Sequence, residues 1–406
     1  MAVPLFDTRT PLEPLRDEIR AAIDRVLDSG RFILGPEVAS FEREFAGYCG
    51  AAHGVGVANG TDALTIALRA MNVGPGDEVV VPSFTFYASA EAIPPTGATP
   101  VFCDIDPATY CVTPDTVRAV LTPRTKAVIA VHLFGNLAPV AEIEALGVPV
   151  LEDAAQAAGS RLLEARPDAQ AQYAGAPEVT HAHAGAPEVT HAPAGRARAR
   201  HAGATNIVAR PGALGTVATW SFFPSKNLGC FGDGGMITTS SPEIAERART
   251  LRFHGSHDKV SYEQVGYNSR LDELQAAILR VQLPSLDDWA DGRRVAGAHY
   301  KETGLGDLVA LPQPTAGCEP AWHLYVVRCP EADRLAAALA NAGIGCKAYY
   351  RTPVHRQPAM LEWGAGLELP GTEDAARTHL AIPMSPALTR AQADEVLAAT
   401  RTALAK

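Results

Sequence analysis

Seven short apolar runs, separated by stretches of helical spacing, constrain the fold of this chain more than any other feature of its sequence. Five come in series: "VGVA" (55–58), "EVVVP" (78–82), "TPVFCD" (99–104), "KAVIAVHL" (126–133) and "VPVLED" (148–153). "TVATWSFF" (216–223) and "GMITT" (235–239) follow further on. Helical patterns such as "TDALTIALRAM" and "PVAEIEAL" lie between several of them. Strands that alternate with helices predict a mainly parallel sheet covered on both faces. The expected class is α/β, a mixed but mostly parallel seven-stranded sheet in a large domain.

Before the sheet, "PLEPLRDEIRAAIDRVLDSG" predicts a helix stopped by Gly30, and "GPEVASFEREFAGYCG" predicts a second. After it, "SPEIAERARTLRFHG" and the run "SRLDELQAAILRVQLPSLDDWADGRRVAGAHYKE" are helical in pattern. From about 312 the text mixes "AWHLYVVRC", a helix near 331–342, "GCKAYY" and a last helix at 389–404. Three parts are expected: 1–245 as N-terminal helices and large α/β domain, 246–311 as connecting helices, and 312–406 as a smaller α+β domain.

Residues 164–212 break the pattern. They are rich in Ala, Gly, Pro, His and Arg, and "AGAPEVTHA" occurs at 174–182 and again at 184–192. Two short copies are too few for a solenoid, so the segment reads as a surface insertion without a core of its own. Lengthening a loop from about 12 to about 50 residues costs only roughly 1.2 kcal/mol of closure entropy, which the fold can carry. His181, His183, His191 and His201 raise a metal-binding reading, but no carboxylate or cysteine completes a ligand pattern, and a solvated loop is preferred. "RARAR" (196–200) reads as a solvated charge run.

Composition excludes several classes. The formal charge is −10 with no clustered basic face, which argues against a nucleic-acid partner. Seven cysteines without a CxxC pair do not make a disulfide framework or a metal site. The N-terminus has no apolar signal core and no long apolar span occurs, so a cytoplasmic protein without a membrane partner is expected.

Four pieces carry chemistry. In "VGVANGTDALTIAL" a strand turns at Asn59-Gly60-Thr61 into a helix, whose N-terminus offers free N–H groups to an anion such as phosphate, although the same junction also serves plain chain reversal. "VPVLEDAAQAAG" sets Asp153 just past a strand's carboxyl end, the edge where open α/β sheets bind ligands. "WSFFPSKNLGCFGDGG" sets Lys226 between a strand and a glycine-rich loop, where desolvation would yield a free amine able to form a Schiff base. "PSFTFYASAEAI" brings Phe86 to another strand end, to stack on a planar ligand or to pack in the core. Together these describe a site for pyridoxal 5'-phosphate.

Those motifs, with "SGRFILGPEVASFEREFA", "GDEVVVPSFTF", "GYNSRLDELQAAIL" and "PVHRQPAM", make the chain resemble the DegT/DnrJ type of sugar-nucleotide aminotransferase, within the fold type I pyridoxal phosphate enzymes. The resemblance spans nearly everything outside 164–212. It implies that Lys226 forms the Schiff base and moves the proton, and that Asp153 holds the pyridine nitrogen. Gln156 would bond the ring hydroxyl, Ala155 and Phe86 would pack on opposite ring faces, and Gly60, Thr61 and Ser221 would hold the phosphate. Asn268 would reach the phosphate of a neighbouring subunit, implying a homodimer with shared sites. His323, Tyr349, Tyr350 and His355 are implied sugar contacts, with interdomain packing as the rival use. The implied reaction moves an amino group, usually from L-glutamate, to a nucleoside-diphosphate keto sugar. Rival readings are a sugar dehydratase, which Lys226 argues against because a histidine stands there in such relatives, another fold type I activity, and a catalytically idle regulatory protein.

Overall fold

The computed structural model describes residues 3–163 and 207–405. In chain order the strands are β1 (His53–Val57), β2 (Glu78–Pro82), β3 (Thr99–Cys103), β4 (Thr125–Val131), β5 (Val150–Asp153), β6 (Arg161–Leu162), β7 (Val217–Ser221), β8 (Gly235–Thr239), β9 (Cys318–Glu319), β10 (Tyr325–Arg328) and β11 (His379–Ile382). Seven of them form one sheet in the order β1-β8-β7-β5-β4-β2-β3. The pairs from β3 across to β7 are parallel, whereas β8 runs antiparallel to both β7 and β1. The expected mixed, mostly parallel seven-stranded sheet is therefore present. Two of the seven runs, "EVVVP" and "GMITT", match their strands residue for residue, and both strands are buried along their whole length.

Helix ends follow local chemistry. Gly30 and Gly50 close the helices Arg16–Ser29 and Pro36–Cys49 in the left-handed conformation, at φ 63° and 82°. The long helical run of 269–302 is not continuous: Pro284, which has no N–H to donate, divides it into Glu273–Gln282 and Leu286–Glu302. "GCKAYY" contributes no strand, only a bridge between Lys347 and Ala381.

One hydrophobic cluster fills the space between the sheet and its helices, including Phe41, Phe45, Ile66, Ile129 and Phe222. A second holds Tyr300, Trp322, Tyr325, Leu335, Leu380 and Val396, and Val3 from the N-terminal arm joins it.

The chain leaves and rejoins this frame at one place. Leu162 N–H donates to the Ala209 carbonyl and Val208 N–H to the Leu162 carbonyl, both at 2.9 Å. Just beyond, the buried carboxylate of Glu152 accepts N–H groups from Gly212, Leu214 and Gly215 at 2.8–3.1 Å and faces His132 Nε2 at 2.9 Å. Ala138 N–H donates to His132 Nδ1, which fixes the tautomer and leaves Nε2 to donate to Glu152. The strand ends of β5 and β7 thus stay neighbours across the intervening segment. The four histidines and the arginine run of that segment lie outside the described residues. Among the described residues no helix is long and apolar enough to cross a membrane.

Candidate active site

At the carboxyl ends of the central strands opens a cavity of about 590 Å³. Asn59, Gly60, Thr61, Phe86, Asp153, Ala155, Gln156, Ser221, Lys226, His323, Tyr349 and Tyr350 all reach its wall. Sheet order explains the meeting. Because β5 and β7 are adjacent, with Asp153, the last residue of β5, opposite Thr219, the end of β5 and the turn after β7 carry Asp153 and Lys226 to one edge.

Lys226 is half-buried and lines the cavity. Burial pushes its amine down from 10.5 to about 8, and the Asp153 carboxylate opposes the shift in part. Near neutral pH the free-amine fraction is then more than a hundredfold above that of an ordinary lysine. Asp153 is held by Ser89, whose Oγ donates to it at 2.7 Å, and by the Ala155 N–H at 3.2 Å. Thr85 Oγ1 lies 3.0 Å from Ser89 Oγ and extends the chain. Gln156 turns its Oε1 to the Phe134 N–H at 2.7 Å, so its Nε2 points towards Tyr350 Oη, 3.4 Å away.

The helix Gly60–Ala70 begins on the cavity. Asn59 caps it by accepting the Asp62 N–H at 2.8 Å, while the N–H groups of Gly60 and Thr61 have no partner among the described residues. A side chain at position 60 would sit 2.8 Å from Ser221 Cβ, so only glycine lets β7 approach this turn. Two free amides at a helix start, with the Ser221 hydroxyl adjacent, suit a phosphate. Phe86 presents a half-exposed ring at the mouth, its centroid 5.9 Å from that of Tyr350, and Ala155 offers a flat, small surface elsewhere on the wall.

Two expected contacts lie elsewhere. His355 is not on the cavity. It is 1% exposed, with Nδ1 2.5 Å from Ser83 Oγ, and it pins the 353–356 turn to the end of β2. Its sequence neighbours the cavity-lining Tyr350, but the chain turns away at Pro353. Asn268 is exposed, accepts a bond from Arg270, and does not reach the cavity of its own chain. The sequence reading missed Ser89, Thr85, Phe6, Asp62, Phe223 and Asp233. Ser89 carried a faint signal, a hydroxyl in the short helix Ala88–Glu91 soon after a strand end, whereas Phe6 carried none.

An amine of depressed pKa, sharing a cavity with a hydrogen-bonded carboxylate and an open helix start, defines a site for amine–carbonyl exchange on a fold type I frame. The chain belongs to the DegT/DnrJ/EryC1/StrS aminotransferase family, whose sequence profile matches residues 14–401. It is 43% identical to the dTDP-3-amino-3,4,6-trideoxy-alpha-D-glucose transaminase of Streptomyces venezuelae, over 98% of this chain and 95% of that protein. It is also 42% identical to a protein of Geobacillus stearothermophilus named pleiotropic regulatory protein, over 98% and 97%. Among solved structures, S. venezuelae DesV in complex with a ketimine intermediate aligns with a TM-score of 0.85 at 41% identity, covering 100% of this chain and 99% of that one. The protein is an aminotransferase.

Proposed function

We propose that this aminotransferase uses pyridoxal 5'-phosphate to move an amino group from L-glutamate to the ketone of a nucleoside-diphosphate-linked deoxysugar. The observation that carries the reading is Lys226, its amine near pKa 8, sharing one cavity with Asp153 and the open start of the Gly60–Ala70 helix. The residues fit the cofactor. Gly60 leaves room where a Cβ would close the cradle, and the amides of Gly60 and Thr61 with Ser221 Oγ suit its phosphate. Asp153, already accepting from Ser89 and Ala155, keeps a carboxylate for a ring nitrogen. Phe86 and Ala155 would flank the ring, and Gln156 Nε2 would meet its hydroxyl. When bound, the cofactor supplies a carbonyl for the donor's amine and an electron sink for the adjacent carbon.

The chain's own part is proton handling and positioning. Lys226 would anchor the cofactor and, as a free amine, would take the proton from the donor's carbon and, as the ammonium, give one to the acceptor's carbon, an acid–base pair matched to neutral pH. Tyr349, Tyr350 and His323 line the remaining space and would orient the sugar. Asn268, exposed on its own subunit, would complete the phosphate site of a partner in a homodimer working in the cytoplasm. The sugar class rests on the trideoxyglucose transaminase named above. Another relative carries a regulatory name; Lys226, Asp153 and Gln156 together support catalysis over an idle role.

The test is the visible absorption of cofactor-loaded protein. L-glutamate should bleach the band, and a nucleotide keto sugar should restore it. A loaded protein blind to every amino donor would overturn the reading.

A further inference from the structure

Arg293 is a buried cation without a carboxylate. It is 7% exposed, forms no ion pair among the described residues, and its Nε has no hydrogen-bond partner. Its one set of bonds runs from Nη1 to the carbonyls of Trp322 at 3.1 Å and His323 at 3.5 Å. An unpaired buried charge is costly, so a fold that keeps one gains something from its place. Here it grips a turn that needs gripping. Trp322 sits at φ 40°, in the left-handed region that bulky residues avoid. The same turn is pressed against Gly135, where a Cβ would come within 2.9 Å of the backbone nitrogens of both Trp322 and His323. Asn227, next to Lys226, holds it from another side by donating to the Ala321 carbonyl at 3.1 Å.

The turn delivers the imidazole of His323 to the cavity wall that Lys226 shares. The ring is 4% exposed, stacks on Phe6 at 6.0 Å, and leaves Nδ1 buried without a partner. Two positive charges bear on it, Lys226 from the catalytic loop and Arg293 from the helix Leu286–Glu302. The other titratable groups on the same wall are Asp62, Asp153, Asp233, Tyr349 and Tyr350. Burial above all, and then the two cations, disfavour a positive charge on His323.

We propose that Arg293 is a positioning residue that acts on the reaction through His323: it fixes the Trp322–His323 turn and keeps the imidazole beside Lys226 an uncharged hydrogen-bonding group. A neutral ring there can meet a hydroxyl or carbonyl of the acceptor and leaves Lys226 as the site's titrating base. A protonated ring would instead hold a second cation against the Lys226 amine. The proposal rests on the aminotransferase reading for its consequence in turnover, but not for its first readout.

The test uses the full-length protein labelled with ¹⁵N-histidine and compares wild type with Arg293→Lys, Arg293→Met and His323→Gln. In wild type the His323 ring should titrate well below a solvated imidazole. Arg293→Met should let it titrate measurably higher, and Arg293→Lys, which keeps the charge, should restore most of the wild-type behaviour. In turnover, Arg293→Met should move the acid limb of the kcat/KM profile upward, and adding His323→Gln, neutral by construction, to Arg293→Met should abolish that movement. If Arg293→Met fails to fold, Arg293→Lys and His323→Gln still decide, because a His323 that titrates normally in wild type refutes the idea. Loss of thermal stability in Arg293→Met with no change in His323 titration or in the acid limb would make Arg293 a structural residue only. A wild type without amino transfer would instead fail the functional reading while the histidine titration still tested this one.

Discussion

Replacing Lys226 by Met should make the cofactor-free protein more stable, and the gain should depend on pH in a definite direction. A fall from 10.5 to about 8 corresponds to roughly 3 kcal/mol held against the protonated amine. Lys226 is only half-buried and its cavity is open, so screening reduces the figure to about 1–2 kcal/mol. The sign follows from proton counting. Between about pH 8 and 10.5 the native protein has released the proton while the unfolded chain still holds it, so wild-type stability rises with pH across that window. Below pH 8 both states are protonated, and the full strain is present. The variant has no such group. Its advantage over wild type should therefore be largest near pH 7 and mostly gone by pH 10, on top of any constant offset from burying the Met side chain. Urea unfolding of both proteins without cofactor, at several pH values over that range, measures the difference directly. A stability difference flat from pH 7 to 10 would refute the reasoning, because it would mean that the native amine titrates where a solvated lysine does. Turnover should be abolished in the same variant.

Glu152→Ala should destabilise the fold by at least about 3 kcal/mol, since it strands three backbone donors and the His132 N–H in a buried place, and Glu152→Gln should cost less; thermal and urea unfolding compare them. Gly60→Ala drives a Cβ to 2.8 Å from Ser221 and should weaken cofactor binding at least about tenfold in an absorbance titration, where an unchanged affinity would remove the helix start from the phosphate site. Ser89→Ala removes the hydroxyl that donates to Asp153 and should lower kcat about tenfold with little change in melting temperature. Deleting 165–206 should leave far-UV circular dichroism and the unfolding midpoint nearly unchanged, because Leu162, Val208 and Ala209 already close the loop.

What could be read from the sequence, and what could not, divides along the range of the interaction. Strands are local: "EVVVP" and "GMITT" are mostly apolar, and buried along their whole length because both faces are covered, and that run of apolar residues locates them. Lys226 and Asp153 were legible because Asp153 ends such a strand and Lys226 follows one, and strand ends in an open sheet gather at one edge. Partners are not local. Nothing in "ASAE" says that Ser89 will bond a carboxylate on β5, or in the first residues that Phe6 will stack on His323. His355 was misplaced because a motif shared with relatives gives proximity along the chain, whereas the turn at Pro353 decides which neighbour faces the cavity. The antiparallel entry of β8, beside a strand more than sixty positions beyond β5, left no local mark either.

The pair Glu152–Asp153 shows how far period-two geometry extends what a sequence can say. Two acids side by side in "VLED" look interchangeable, yet successive residues of a strand point to opposite faces. Asp153 opens onto the cavity, where Ser89 and Ala155 steady it within the field of Lys226. Glu152 points the other way and binds the returning chain at 212–215. Its position makes it the residue that lets a long insertion coexist with the site. The carboxylate that binds 212–215 and the one that faces Lys226 sit on opposite faces of the same strand, so a change at one reaches the other only through β5. That argument makes a separable prediction of the two acids: Asp153→Asn should abolish turnover with the fold intact, and Glu152→Ala should lower stability first and activity only as the protein unfolds. Equal loss of turnover in folded Glu152→Ala, measured well below its melting temperature, would show that the two faces of β5 are coupled.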